Sequence, residues 1–358
     1  MKKNKQILKN PGKYRKYLTL QGIKNDKIYC GPQLVHIYIN TNCNLRCEYC
    51  WFHSHLAPKN NVPYKILQWK KFTEILKDCK EMGVEHIVLS SIGEPSLHPD
   101  IGKMIRKIKK NGMDLRITTN LTFTKKSLLK VFGLADELAI NSSAIDNNSY
   151  QQMYKPRDKS NFDLIINNIN FFTNVRKKIN KPRIEIRYII TDNNFHYIEK
   201  ALDIYKKLKV NDVYFTFMDT TLENKNISLK KKNKKELVKL LKKNLKKDFP
   251  FQHNLKEIYS SLIDYNNCEF NLSQCLLIWE RLSIEINGNI SLCCHNEKLT
   301  VGNIYQDNIK DIWWSKKTHA IRLKGKYSFN LNDNMWKACK YCFATKQNKF
   351  YINQSKLI

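Results

Sequence analysis

Long apolar runs are missing from this chain. No stretch of 18 uninterrupted apolar residues occurs among its 358 positions, so no transmembrane helix is expected. The opening stretch, MKKNKQILKNPGKYRKYLTL, is basic but lacks an apolar core and a small-residue cleavage site. No secretory signal is read, and the cytoplasm is the expected compartment. Acidic residues are also scarce: 32 Asp and Glu against 63 Lys and Arg, a net charge of +31. A field of that sign attracts nucleic acid, anionic lipid or a phosphorylated substrate. The wealth of Lys, Asn and Ile, all with A/T-rich codons, accounts for part of the lysine excess but not for the low acid count. The lysines are not interleaved with aromatics and no RNA-binding module is recognised, so a nucleic-acid partner is not expected.

Cysteine, by contrast, is plentiful. Eleven are present, and in a reducing compartment clustered cysteines point to metal or catalysis rather than disulfides. With 42% apolar residues the chain can bury one large core or two domains. Residues 1–32 read as a polar, irregular N-terminal extension. From residue 33 to 222, strands and helices alternate. Strands are expected at 34–40, 85–91, 113–120, 136–143, 183–191 and 212–219. Helices are expected at 64–83, 100–112, 125–133, 161–179 and 195–208. Phe72, Ile75, Leu76 and Cys79 share one helical face, which makes Cys79 a core residue. Six such repeats imply a parallel sheet covered by helices, either a partial (β/α)6 barrel or an open sheet. Residues 223–265 form a lysine-rich linker with a short basic helix. That helix is read as solvated, with an anionic membrane surface as the other possibility. A small α+β region at 266–346 holds six cysteines, and 347–358 is a tail.

TNCNLRCEYC places Cys43, Cys47 and Cys50 directly after the first strand. Thiolates suit zinc or iron–sulfur clusters. With His53 as fourth ligand the set would be a closed zinc site. With three thiolates alone, a cubane would keep one iron open. The second strand runs into SIGEPSLHPD, and loops at strand C-termini build the active sites of such folds. Together these motifs resemble the radical S-adenosylmethionine (SAM) superfamily. Its signature is C-x3-C-x-aromatic-C, with Tyr49 here as the aromatic, followed by Gly-Gly-Glu-Pro. In this chain Ile92 replaces the first glycine, and Gly93, Glu94 and Pro95 follow. The resemblance implies a [4Fe-4S] cluster on the three cysteines, with SAM chelated at the open iron. It implies that Gly93, Glu94 and Pro95 receive the methionine ammonium. Asn141 or Ser143, on the fourth strand with Ser142 between them, would lie near the ribose; Asn141 aligns best. Asn120 is a candidate for lining the site, although Leu121 stands where the family often has glycine.

Cys275, Cys293, Cys339 and Cys342 follow the pattern C-x12-G-x4-C…C-x2-C around an Asn287-Gly288 turn. Four thiolates suit a zinc ribbon or a fully ligated [4Fe-4S] cluster. Beside the first motif the pattern resembles SPASM/twitch auxiliary-cluster domains. The later C-x5-C-x3-C group is absent, which favours the shorter twitch type with one auxiliary cluster. Cys294 could exchange with Cys293, but the spacing favours Cys293. Cys30 or Cys268 could donate a hydrogen atom in an epimerase, although a small inert thiol is the commoner role. His53, His55, His98 and His295 lie in motif loops, where supporting or surface roles are commoner than catalysis.

The resemblance implies reductive cleavage of SAM to a 5′-deoxyadenosyl radical that abstracts a substrate hydrogen atom, with electrons from a donor such as flavodoxin or ferredoxin. An auxiliary cluster favours a two-electron oxidation of a sugar- or cyclitol-like small molecule. Peptide modification is the alternative; many such enzymes carry an N-terminal peptide-recognition domain, and only residues 1–32 precede the first strand here. A non-catalytic zinc protein is the reading from another class. No catalytic base is identifiable.

Overall fold

The computed structural model describes residues 11–57, 62–218, 225–263, 273–341, 348–349 and 351–354. Strands β1 (Leu34–Tyr38), β2 (His86–Ser90), β3 (Asp114–Thr119), β4 (Glu137–Asn141), β5 (Arg183–Ile190) and β6 (Asp212–Phe217) fall where the alternation predicts them. They pair in parallel in chain order, and a short β7 (Gln252–His253) adds to β6. Between them run α2 (Trp69–Glu81), α3 (Ile101–Lys110), α4 (Lys126–Phe132), α5 (Asn147–Tyr154), α6 (Phe162–Ile179) and α7 (Ile198–Lys207), after an N-terminal α1 (Pro11–Asn25).

Periodicity explains the packing. Phe72, Ile75, Leu76 and Cys79 of α2 are buried, as are Ile101, Met104, Ile105 and Ile108 of α3. Both sets follow the i, i+3, i+4, i+7 rule and press on the sheet. Each large side chain contributes about 1.5–3 kcal/mol of burial. Alternate strand residues such as Val35, Ile37, Ile117, Ile140 and Ile186 meet this helical layer fully buried. Their neighbours point to the other face of the sheet, here called the lumen, which carries His36, Tyr38, Arg116, Glu185 and Arg187.

The last third of the chain joins the same sheet. β8 (Arg281–Ile284) pairs in parallel with β1, on the side opposite β2. β9 (Asn289–Ser291) and β10 (Thr300–Asn303) follow antiparallel. The result among the described residues is one ten-stranded sheet, ordered β10-β9-β8-β1-β2-β3-β4-β5-β6-β7 and not closed into a barrel. The hairpin turns at Gly288, whose φ of +89° suits glycine. Helices α10 (Ile309–Trp314) and α11 (Lys316–Tyr327) complete the fold.

Three sequence expectations change. Residues 11–25 are helical rather than irregular: Pro11 takes the first helical position, where its fixed φ is favourable. Helix α5 was not expected; it is short, and its start is a capping box between Asp146 and Ser149. The basic helix, α8 (Lys231–Asn244), packs on the fold rather than standing clear of it as a solvated linker. Leu237 and Leu241 are fully buried against the fold, next to α9 (Leu255–Ile263), and only its lysine face meets water. Accordingly, Leu237→Ala is expected to cost about 2–5 kcal/mol in chemical denaturation. A loss within about 0.5 kcal/mol, the range of ordinary surface changes, would mean that α8 does not pack.

Candidate active site

The loop after β1 carries Cys43, Cys47 and Cys50, and the fold holds it from three sides. Arg46 N and Glu48 N donate to the carbonyls of Tyr154 and Met153, both at 2.9 Å. The last turn of α5, missed in the sequence, is therefore the cradle of the cysteine loop. Asn44 sits between the first two cysteines. Its Nδ2 donates to Thr122 Oγ1 and Asp158 Oδ2, each at 2.8 Å, and its Oδ1 accepts from Asn120 Nδ2 at 2.9 Å. On the third side Glu94 N donates to Asn42 O at 2.7 Å.

Glu94 is 2% exposed. Its carboxylate accepts from Thr119 Oγ1 (2.7 Å), Asn120 N (2.7 Å) and Ser96 N (3.1 Å). Burial raises its pKa and these donors oppose the rise. The carboxylate is thus spent on the ends of β2 and β3, and the open groups of this turn are backbone. A Cβ on Gly93 would stand 1.8 Å from Asn42 O, so only glycine lets the two loops meet. Leu121 adopts φ +58°, the left-handed region that explains glycine at this point in related sequences. The conformation costs about 1–2 kcal/mol, and the side chain is wholly buried in return.

The remaining expected residues divide. Ser143 is buried; its Oγ accepts from Ile189 N at 2.9 Å and its N donates to Tyr154 Oη at 2.6 Å. Asn120 is likewise engaged, by Asn44 and Thr122. Asn141, at the end of β4, is half-buried and its side-chain amide bonds no described residue. The Tyr49 hydroxyl is buried, its ring edge-on to Tyr154 at 6.0 Å. His98 is structural: Nε2 meets Leu67 O at 3.1 Å and Nδ1 accepts from Asp100 N at 3.1 Å. An open cleft of about 700 Å³ lies beside the loop, lined by Arg46, His55, Gln151, Lys155, Pro156 and Arg157.

The second cysteine set lies where the β8–β9 hairpin meets the chain after α11. Cys275 N donates to Gly325 O at 2.8 Å. His295 N donates to Cys293 Sγ at 3.4 Å, and Asn296 Nδ2 to Cys339 Sγ at 3.6 Å. A hydrogen bond from Cys294 holds the Cys293 thiol down to about 6 and Cys294 correspondingly up. Cys342 and Cys268 lie outside the described residues. Cys30 lies 3.6 Å from Thr19 Oγ1, and its carbonyl accepts from Trp313 Nε1 at 2.9 Å.

Residues 37–180 match the radical SAM superfamily. Residues 275–343 match the iron–sulfur cluster-binding SPASM domain. The chain thus carries a radical SAM domain and a SPASM domain, and with these come SAM, the [4Fe-4S] cluster that binds it, and auxiliary iron–sulfur chemistry. Among curated relatives it is 33% identical over 97 residues to the tungsten-containing aldehyde ferredoxin oxidoreductase cofactor-modifying protein of Pyrococcus furiosus, covering 27% of this chain and 26% of that protein. It is 28% identical over 193 residues to GTP 3′,8-cyclase of Limosilactobacillus fermentum, covering 52% and 53%. The chain thus spans a quarter to a half of these relatives' length. Among solved structures, SuiB of Streptococcus suis bound to SAM superposes with a TM-score of 0.65 at 18% identity, over 90% of this chain and 74% of SuiB. The SAM-bound anSMEcpe superposes at 0.61 with 16% identity, over 91% and 96%. These likenesses establish the fold.

The donors fit the groups. Burial pushes the Cys43 thiol up to about 12 and Cys47 well up, so binding of a strong Lewis acid such as a cluster at sulfur would be what displaces their protons to solvent. Backbone N–H groups of Leu45, Phe52 and His53 already point at Cys43 and Cys50 sulfurs, at 3.3–3.5 Å, as hydrogen bonds do around cluster thiolates. Among the described residues, no three Cys, His, Asp or Glu side chains converge tightly enough for a single ion. Asn44→Ala is expected to leave the secondary structure intact and lower iron retained after anaerobic reconstitution. Unchanged iron with full SAM binding would show that the loop does not depend on it.

Proposed function

We propose that the chain oxidises a small, polar, sugar- or cyclitol-like molecule by two electrons in the sheet lumen. The observation that carries this is the character of that lumen. Parallel strands covered by helices are usually apolar on both faces. Here Tyr38 stacks on His36 at 4.6 Å; Arg116 pairs with Glu137 at 2.9 Å and Arg187 with Glu185 at 2.9 Å. Hydroxyl-rich substrates bind to such arrays of donors and acceptors.

Cys43, Cys47 and Cys50 would hold the SAM cluster; Cys275, Cys293, Cys339 and Cys342 would hold one auxiliary [4Fe-4S] cluster. When bound, these groups supply hydrogen-atom abstraction from a substrate C–H bond and uptake of the second electron. The chain's own residues position the partners. Gly93 and Pro95 offer backbone to the methionine ammonium, and Glu94 fixes that backbone through β3. Asn141, free at the end of β4, is better placed for the ribose than Ser143, whose hydroxyl is engaged. Tyr49, buried beside the cysteine loop, would line the cofactor site. Asn120 acts through Asn44 on the cysteine loop. An acidic electron donor such as flavodoxin or ferredoxin suits the basic cleft at Arg46, Lys155 and Arg157, in a reducing cytoplasm.

Peptide modification is the second reading, favoured by the fold: SuiB and anSMEcpe are both seen with bound peptides. The test is anaerobic reconstitution with iron counted per chain. About eight irons, falling to about four in a Cys43→Ala, Cys47→Ala, Cys50→Ala variant, are expected for two cubanes. Dithionite should then drive 5′-deoxyadenosine release by the intact chain alone. Zinc without iron, or no release, would overturn the reading; crosslinked or epimerised peptides with no sugar turnover would select the second.

A further inference from the structure

One corner of the lumen is left unsatisfied. His36 of β1 and Ser283 of β8 are direct partners in register, so their side chains lie side by side. Arg281 precedes Ser283 by two positions and shares its face. His36 Nε2, Ser283 Oγ and Arg281 Nε are all buried, and none has a hydrogen-bond partner among the described residues. A buried polar atom left unpaired costs about 1–3 kcal/mol. Three at one junction are unusual where nearly all such groups are paired.

Arginines from three strands face this corner. Burial above all, then Arg187, His295, Arg116 and Arg281, pushes the His36 imidazole down to about 3. The acids nearby are already committed. Glu185 is bound by Arg116 and Arg187, Glu137 by Arg116, and Glu280 by the other end of Arg281. Arg281 also feels Cys293 and Cys294, so the corner adjoins the hairpin that would carry the auxiliary cluster. Orphaned buried donors beside acids that are already bound describe a seat for an anion.

We propose that the β1–β8 junction is an anion subsite that receives a phosphate or carboxylate of the substrate. Arg281, Ser283 and His36 donate to it, and Arg187 faces it from β5. The inference rests on the reading that a small polar substrate enters the lumen, and narrows that substrate to an acidic one. Held there, the anion fixes one end of the molecule near the auxiliary cysteines and leaves the other toward the strand C-termini, where SAM binds.

The test uses the full reconstituted chain with SAM, at physiological salt, and isothermal titration calorimetry. The probes are inorganic phosphate, glucose 6-phosphate, glucuronate and glucose. Saturable binding of phosphate species, of glucuronate, or of both is expected, and distinguishes the two anion sources; glucose should bind at least about tenfold more weakly, the loss of one charge-assisted hydrogen bond. Arg281→Gln should weaken the anion by about tenfold or more, and Arg281→Lys should keep most of the affinity. Ser283→Ala leaves the Arg281–Glu280 pair intact, so its several-fold loss does not depend on that variant folding. Lys239→Gln, on the exposed face of α8, controls for the general positive charge and should change nothing. No saturable anion binding, equal binding of glucose, or full affinity in both Arg281→Gln and Ser283→Ala would overturn the subsite. Anion binding without 5′-deoxyadenosine release would leave the subsite standing and remove the radical reading; release without anion binding would do the reverse.

Discussion

A single buried carboxylate joins the parts of the site. Glu94 leaves β2, turns back, and accepts three hydrogen bonds from the end of β3 and from its own turn. Bonds to a charged acceptor are worth about 1.5–3 kcal/mol each, and a carboxylate left bare at this depth would be costly. The turn and β3 are therefore locked together. Asn120, seized at its backbone by Glu94, reaches with its amide to Asn44 inside the cysteine loop. One chain of polar contacts thus runs from the sheet to the residues between Cys43 and Cys47. Gly93 allows it by letting the two loops touch without a side chain between them.

The motifs were legible because they are local. Thiolate spacing, a turn glycine and helical periodicity each sit within a few residues, and the α/β alternation followed from them. What the sequence hid is long-range or short-lived. Helix α5 has only eight residues, and its role depends on two carbonyls meeting a loop some hundred residues earlier. Asn44 and Asn296 look like ordinary polar loop residues until their partners are seen. The basic helix α8 misled for another reason: its lysines dominate the composition, while Leu237 and Leu241 decide its placement. Asn120 and Ser143 were singled out by position, yet both spend their side chains inside the protein.

The two faces of the sheet divide the labour between stability and chemistry. Toward the helices the strands present branched aliphatic residues at full burial, which sustains the fold. Toward the lumen they present arginine, glutamate, tyrosine and histidine, which cost stability unless paired. Most are paired. Three of the exceptions among the described residues lie where β8 meets β1, and others, such as Asp212 Oδ2, lie at the far edge of the sheet.

The insertion of β8 beside β1 also has a consequence for how the chain is made. Strand β1 leaves the ribosome well before its second neighbour, which begins at Arg281. Until about 240 more residues have been synthesised, one edge of the first strand, with apolar Val35 and Ile37 on it, stays unpaired. An open parallel edge is a template for wrong partners, and contacts this distant in sequence form slowly. The nascent protein thus passes through a stage in which the segment bearing the first cysteine loop is half-supported. Iron delivered before the final hairpin docks would meet a loop whose strand is not yet held on both sides.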